Sequence, residues 1–159
     1  MSLEEHEAMQ DHRQYITFLA NGQEYAARIT TIREIRGWTD TTPLPHVPSY
    51  VRGVINLRGI VLPVIDLKAR LGMGLTEATV KNVIIVVETD TRSLGLLVDA
   101  VSDILTVGVS DIQPVPDVVS HQENQYVNGI VVIDGRMVTL LGMEKLTASF
   151  NLDEIPQAA

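Results

Sequence analysis

Short runs of alternating apolar and polar residues, punctuated by Gly, Pro and Asn-Gly, carry most of the chain. Successive side chains of a strand point to opposite faces, so this period of two predicts half-buried β-strands and little helix. The segment Tyr15-Ile16-Thr17-Phe18-Leu19 is β-branched and aromatic, Asn21-Gly22 is a strong turn signal, and residues 24–28 form the returning strand of a hairpin. From Ile29 the pattern changes. Ile29, Ile32 and Ile35 recur at every third position as far as Gly37, which predicts a short helical or irregular turn rather than a strand. Residues 41–48 hold three prolines, each lacking a backbone donor, so an extended loop or edge segment is expected. Residues 53–57 and 60–65 then form two strands around a tight Arg58-Gly59 turn, with a brief helical exit over 66–71. The glycines of Gly72-Met73-Gly74 loosen the backbone and mark the expected subdomain boundary. Beyond it, residues 83–88 and 94–98 make a second hairpin around Asp90, and Val98, Val101 and Ile104 repeat the three-residue spacing.

Laying the second half on the first at an offset of 76 residues sets Tyr126-Val127-Asn128-Gly129-Ile130-Val131 on Tyr50-Val51-Arg52-Gly53-Val54-Ile55. Without a gap, Ile133-Asp134-Gly135 then meets Leu57-Arg58-Gly59, and Met137, Val138, Leu140, Leu141 and Met143 meet Val61, Leu62, Val64, Ile65 and Leu67. At an offset of 69, Val98, Val101 and Ile104 fall on Ile29, Ile32 and Ile35, and Asp103 falls on Glu34. Such a duplication of short strands and tight turns predicts an all-β fold of two small, similar barrels, each closing its sheet to remove exposed edges. Units of this size bury a modest core alone, so the two are expected to pack together and leave a groove at their junction. The halves run roughly over 14–72 and 75–146, with terminal strands open to exchange between them. A flexible acidic N-terminus, 1–13, and a C-terminal tail, 147–159, flank them.

Composition narrows the function more than the fold. The chain has no Cys, which removes disulfides, Fe–S clusters and thiolate zinc sites, so folding rests on packing alone. A formal net charge of -8 repels phosphate backbones, and 4% aromatic residues offer few stacking platforms, so nucleic acid is a poor partner. Glu4, Glu5, Glu7 and Asp11 stand where a signal peptide carries a basic region. The longest uncharged apolar run, residues 83–87, falls far short of the roughly 20 residues that cross a bilayer. A cytoplasmic protein without membrane insertion is expected.

Gly53-Val54-Ile55-Asn56-Leu57-Arg58-Gly59, followed by Pro63-Val64-Ile65-Asp66-Leu67, resembles the signature of CheW-like domains. Gly95-Leu96-Leu97-Val98-Asp99-Ala100-Val101-Ser102-Asp103-Ile104 resembles the family's second-half motif, and residues 126–146 resemble its closing strands and helix. An ordered series of motifs over residues 14–146 is far more specific than any one of them. The resemblance implies two five-stranded, SH3-like β-barrels with short helical segments around a hydrophobic seam. It also implies a non-enzymatic scaffold without cofactors or metal. Such a coupling protein links the cytoplasmic tips of chemoreceptors to the regulatory domain of a CheA-type histidine kinase, and is recruited to membrane-associated arrays. The chain has no room for the kinase or receiver that other family branches carry, so a free-standing adaptor is expected. One departure stands out: Gly142 follows Leu141 where Asp66 follows Ile65, so a local turn should differ.

By the same resemblance, Ile32, Ile35, Val83 and Ile104 line an apolar groove that receives a receptor helix. Glu34 and Arg58 lie at its polar rim, and Gly53 and Gly95 permit close backbone approach. Taken alone, these residues leave other readings open: core packing for the apolar four, solvated charges for Glu34 and Arg58, strand bulges for the glycines. Arg58 is singled out because its repeat equivalent, Asp134-Gly135, is an ordinary turn pair, so arginine is not needed to reverse the chain. Its guanidinium suits bidentate, charge-assisted bonds to carboxylates or carbonyls. Kinase contacts are expected at Thr41, Leu44, Gln113, Asp117 and Val118, on or beside Pro-flanked segments. Val118 and Val119 are covered either by a partner or by their own barrel.

Catalytic patterns are weak throughout. His6, His12, His46 and His121 are dispersed, no Ser lies in a Gly-x-Ser-x-Gly elbow, and Gly72-x-Gly74 lacks the Lys-Ser/Thr of a phosphate loop. Asp99 and Asp103, flanked by Val98, Val101 and Ile104, fit solvated charges better than paired catalytic carboxylates. Two alternatives are kept: a CheW-like adaptor of another kinase array, serving twitching or development, and a small β-barrel enzyme or ligand carrier using the inter-barrel groove.

Overall fold

The computed structural model describes residues 12–90, 92–116 and 126–149. Its strands, in chain order, are β1 (His12–Ala20), β2 (Gln23–Arg28), β3 (Ile32–Gly37), β4 (Val51–Leu57), β5 (Ile60–Asp66), β6 (Val83–Glu88), β7 (Ser93–Val98), β8 (Ala100–Gly108), β9 (Val127–Ile133) and β10 (Arg136–Leu141). They form two five-stranded sheets, ordered β8-β1-β2-β10-β9 and β3-β6-β7-β5-β4, in an SH3-like arrangement. Short helices α1 (Leu67–Arg70) and α2 (Met143–Ser149) follow β5 and β10. Place by place, β8, β1, β2, β10 and β9 occupy in the first sheet the positions of β3, β6, β7, β5 and β4 in the second. The duplication is therefore circularly permuted, and the N-terminal hairpin completes the sheet of the C-terminal strands. Strands from both sides of Gly72-Met73-Gly74 mix in each sheet's pairing: β5 pairs with β7, and β2 with β10.

The three-residue spacing of isoleucines belongs to strands and not, as expected, to a helical turn. Within residues 29–37 the 3-10 turn covers Ile29–Thr31 alone, and β3 begins at Ile32. On β3, Ile32 pairs with Val87 and Ile35 with Ile85, so three residues span what two span on β6. On β8, Val101 pairs with Phe18 and Ile104 with Ile16, again three against two. A β-bulge inserts one residue and returns the next apolar side chain to the same face. An alternation of two stretched by one is thus indistinguishable, in sequence, from a helical spacing of three.

The two sheets repeat each other in detail. Thr42 and Val54 exchange backbone hydrogen bonds of 2.9 Å each, and Gln113 and Ile130 exchange bonds of 2.8 and 2.9 Å, so each outer edge strand receives an added segment. Beneath these bridges lie Gly53 (φ 134) and Gly129 (φ 156). A Cβ on Gly53 would overlap the Thr42 carbonyl, and one on Gly129 would sit 2.9 Å from the Gln113 carbonyl oxygen. Glycine is needed at both because backbone approaches backbone there. Arg58 (φ 52) and Asp134 (φ 50) hold the same left-handed turn position.

Asp66 and Gly142 differ for a visible reason. Buried Asp66 caps α1 by accepting from the Ala69 N–H at 3.3 Å, and it accepts from the Thr76 N–H and hydroxyl at 2.7 Å each. Arg52, the bulge residue of β4, donates to the Thr76 carbonyl at 3.0 Å and lies 3.8 Å from the Asp66 carboxylate. Its repeat equivalent Asn128 occupies that space itself, 2.8 Å from where a Cβ on Gly142 would be.

Three apolar cores result. One lies within the first sheet, around Tyr15, Leu105, Val131 and Leu140, and one within the second, around Ile55, Leu62, Ile84 and Leu97. The third draws on both sheets, joining Phe18 and Tyr25 to Ile65, Ile85, Leu96 and Leu146. Asp66→Ala removes the α1 cap and strands the Thr76 donors in a buried site, and should lower stability by about 2–4 kcal/mol. Urea unfolding with an unchanged m-value checks this; a loss below about 1 kcal/mol would show the carboxylate to be dispensable.

Candidate functional site

Cross-strand partners share a sheet face, so the register fixes where each candidate points. Val87 and Ile85 belong to the shared core, which puts their partners Ile32 and Ile35 on the second sheet's inward face. Val83 packs against the same core. Across from it, Val101 pairs with core residue Phe18. Ile104 pairs with Ile16, whose partner on β2 is core residue Ala27. All five apolar side chains thus lie on the two faces that enclose the shared core. Ile32, Val83 and Val101 are half-buried against it, while Ile35 and Ile104 are 42% and 55% exposed. Those two are repeat equivalents, each on an inner edge strand with no further strand beside it. Both readings kept open in sequence apply, core rim for Ile32 and Val83 and exposed surface for Ile35 and Ile104.

Glu34 and Arg58 come together, but on the other face of β3. Glu34 pairs with Val86, which faces the second sheet's own core. Arg58 Nη2 donates to Glu34 Oε2 at 2.7 Å, and Arg36 Nη1 stands 3.6 Å from Oε1. The Arg58 hydrogen bond is the main force that holds the Glu34 carboxyl below its ordinary 4.5; desolvation opposes it, and the charges of Arg58, Arg36 and Arg33 add to it. Arg33 also meets Glu88 at 3.5 Å, and with Arg58, Leu57, Ile60, Leu62 and Ser93 it lines a shallow pocket. The Glu34 carboxylate thus fixes the position of an otherwise exposed turn guanidinium.

A model of the CheW-like domain matches residues 14–150. A chemotaxis protein CheW of Rhizobium meliloti is 53% identical over 137 residues, covering 86% of this chain and 88% of the relative. A probable chemotaxis protein CheW of Rhizobium etli is 52% identical over the same shares of each. The crystal structure of the scaffolding protein TtCheW from Thermoanaerobacter tengcongensis superposes with a TM-score of 0.75 at 31% identity, covering 82% of this chain and 84% of that one. The chain belongs to the CheW-like domain family.

Within this CheW-like domain, the close approaches expected at Gly53 and Gly95 are made by the chain itself. Gly53 is covered by Thr42, and a Cβ on Gly95 would sit 2.8 Å from the Ile84 side chain in the second sheet's interior. Both glycines are buried. Thr41, whose hydroxyl donates to the Arg52 carbonyl at 2.9 Å, and half-buried Leu44 lie beside outer edge β4. Gln113 lies beside outer edge β9. Asp117 and Val118 are outside the described residues. Two features are absent from the sequence reading: Val101, which its equivalence to Ile32 flags, and Arg33 and Arg36, which flank Glu34 in the sequence itself. Among the described residues no helix is long and apolar enough to cross a membrane.

Because its pKa is lowered, the paired carboxylate's contribution is complete above the ordinary 4.5 and lost as pH falls through the depressed value. Carboxyl NMR should show Glu34 titrating below 4.5, and Arg58→Ala should move it upward. An unmoved midpoint in the variant would contradict Arg58 as the cause.

Proposed function

We propose that this chain is a non-enzymatic coupling scaffold that holds a chemoreceptor's cytoplasmic tip and the regulatory domain of a CheA-type histidine kinase in one chemotaxis array. The observation that carries this reading is the pair of repeat-equivalent isoleucines, Ile35 and Ile104, exposed on two edge strands that flank one apolar core. In this reading the space between the two edges is an apolar cleft, suited to the apolar stripe of an amphipathic helix, which anchors through side chains at positions i, i+3, i+4 and i+7. From the opposite face of β3, Arg58 offers a charge-assisted contact to a partner that reaches around this edge strand, with Glu34 holding the guanidinium in place. The relatives named for chemotaxis, and the neighbour titled a scaffolding protein, favour this array over one serving twitching or development.

Kinase docking is assigned to the outer edges, at Thr41 and Leu44 beside β4 and Gln113 beside β9; Asp117 and Val118, the other expected kinase contacts, lie outside the described residues. In each sheet the outer edge lies across from the inner one, so a kinase there leaves the cleft open. Signalling then needs no chemistry from the scaffold. Two binding surfaces on one body raise the effective concentration of receptor for kinase. Such a protein works on the cytoplasmic side, recruited to membrane-associated arrays by its receptor.

Titration of the purified chain with a receptor-tip fragment and, separately, a kinase regulatory domain tests this. Ile104→Ser and Arg58→Ala should each weaken receptor binding about tenfold or more, as expected for a central apolar or arginine anchor. Kinase binding and the unfolding midpoint should hold. Equal loss of both partners would contradict separate surfaces, and absence of wild-type binding to either would overturn the coupling role.

A further inference from the structure

Tyr50 and Tyr126 are repeat equivalents that precede β4 and β9, the outer strands of the two sheets. Each is held by its backbone: the Tyr50 carbonyl accepts from the Asp66 N–H at 2.7 Å, and the Tyr126 carbonyl from the Gly142 N–H at 2.8 Å. Between them stands Arg70, at the end of α1, with its guanidinium carbon 5.5 Å from the centroid of each ring. Both distances are within reach of cation–π attraction, which extends to about 6 Å. One cation therefore touches a ring anchored in each sheet. The repeat equivalent of Arg70 is Leu146, buried in the shared core. Of two equivalent positions, one fills the core and the other bridges its end, an asymmetry that packing alone does not require.

Apolar burial holds the sheets together but is non-directional, so it sets no angle between them. A guanidinium lodged against two ring faces is directional. Other polar links across the junction, from Asn21 to Met73 and from Asp90 to Glu144, lie at the exposed surface. We propose that Arg70 is a positioning residue that sets the angle between the two sheets, and through it the spacing of Ile35 and Ile104 across the cleft. The second clause rests on the receptor reading given above; the first does not. A cleft held open at the right width binds a helix without paying again for ordering, so loosening this joint weakens the receptor and spares a kinase surface confined to an outer edge.

The absence of native Cys permits clean spin labelling at Val61→Cys and Val132→Cys, exposed positions on the two hairpins. Pulsed electron spin resonance, with no partner present, should give one narrow distance distribution in the parent pair. Arg70→Leu and Tyr50→Leu should broaden it, whereas Arg70→Lys and Tyr50→Phe, which keep a cation and a ring, should restore most of the narrowness. Receptor-tip affinity should fall about tenfold in Arg70→Leu with kinase affinity unchanged. If Arg70→Leu does not fold, the Tyr50→Leu and Tyr50→Phe pair gives the same comparison. A parent-width distribution in the leucine variants, or broadening with the phenylalanine variant alike, would overturn the joint. Broadening with undiminished receptor affinity would overturn its link to the cleft. A parent protein that binds no receptor tip would instead refute the proposed function and leave the distance result standing.

Discussion

Among the described residues, sixteen buried ones form the layer between the two sheets, against seven inside each sheet's own core. A fully buried Leu, Ile, Val or Phe contributes roughly 1.5–3 kcal/mol, and domains retain only about 5–15 kcal/mol of net stability. Neither sheet would keep its fold with the larger layer exposed to water. Two small units can exist here only because each covers the other, and the rest of the architecture follows from that constraint. The N-terminal hairpin crosses to the C-terminal strands, Phe18 and Tyr25 on it insert between the sheets, and β3 and β8 remain as inner edges bordering the shared layer.

The edges are where stability turns into recognition. An unpaired edge strand invites pairing with other chains, and natural proteins blunt such edges with bulges and charge. Both inner edges carry a bulge, and β3 also carries Arg33, Glu34 and Arg36. The outer edges are instead covered by the segments at Thr42 and Gln113. The bulges have a second effect, since they return Ile35 and Ile104 to the faces beside the shared core. The same distortion thus protects an edge and displays an apolar anchor on it.

Much of this was legible in the sequence because hairpins, turns and the 76-residue repeat are local or periodic signals. Asn21-Gly22, Arg58-Gly59 and Asp134-Gly135 all became left-handed hairpin turns. The misreading of Ile29, Ile32 and Ile35 arose because a bulged strand and a helical turn share a spacing of three. Exchange of terminal strands between the halves is open in the sequence but not decided by it, because pairing of β1 and β2 with β8 and β10 is long-range and leaves no mark on neighbouring residues. Gly53 and Gly95 are expected to admit a partner's backbone, yet the Thr42 backbone and the Ile84 side chain of the chain itself lie against them, which only tertiary structure reveals. The same holds for Glu34 beneath Arg58 and for Arg70 between two tyrosines: their partners are set by folding rather than by spacing.

The central claim is that a single helical partner occupies the cleft by touching both sheets at once. Methyl NMR of isoleucine- and valine-labelled protein, titrated with a chemoreceptor-tip fragment, tests it directly. The account predicts that Ile32, Ile35, Val101 and Ile104 shift together with one dissociation constant, while Val61 and Val132 on the hairpins stay still. Shifts confined to one sheet, or centred on the hairpins with Ile35 and Ile104 unmoved, would contradict it.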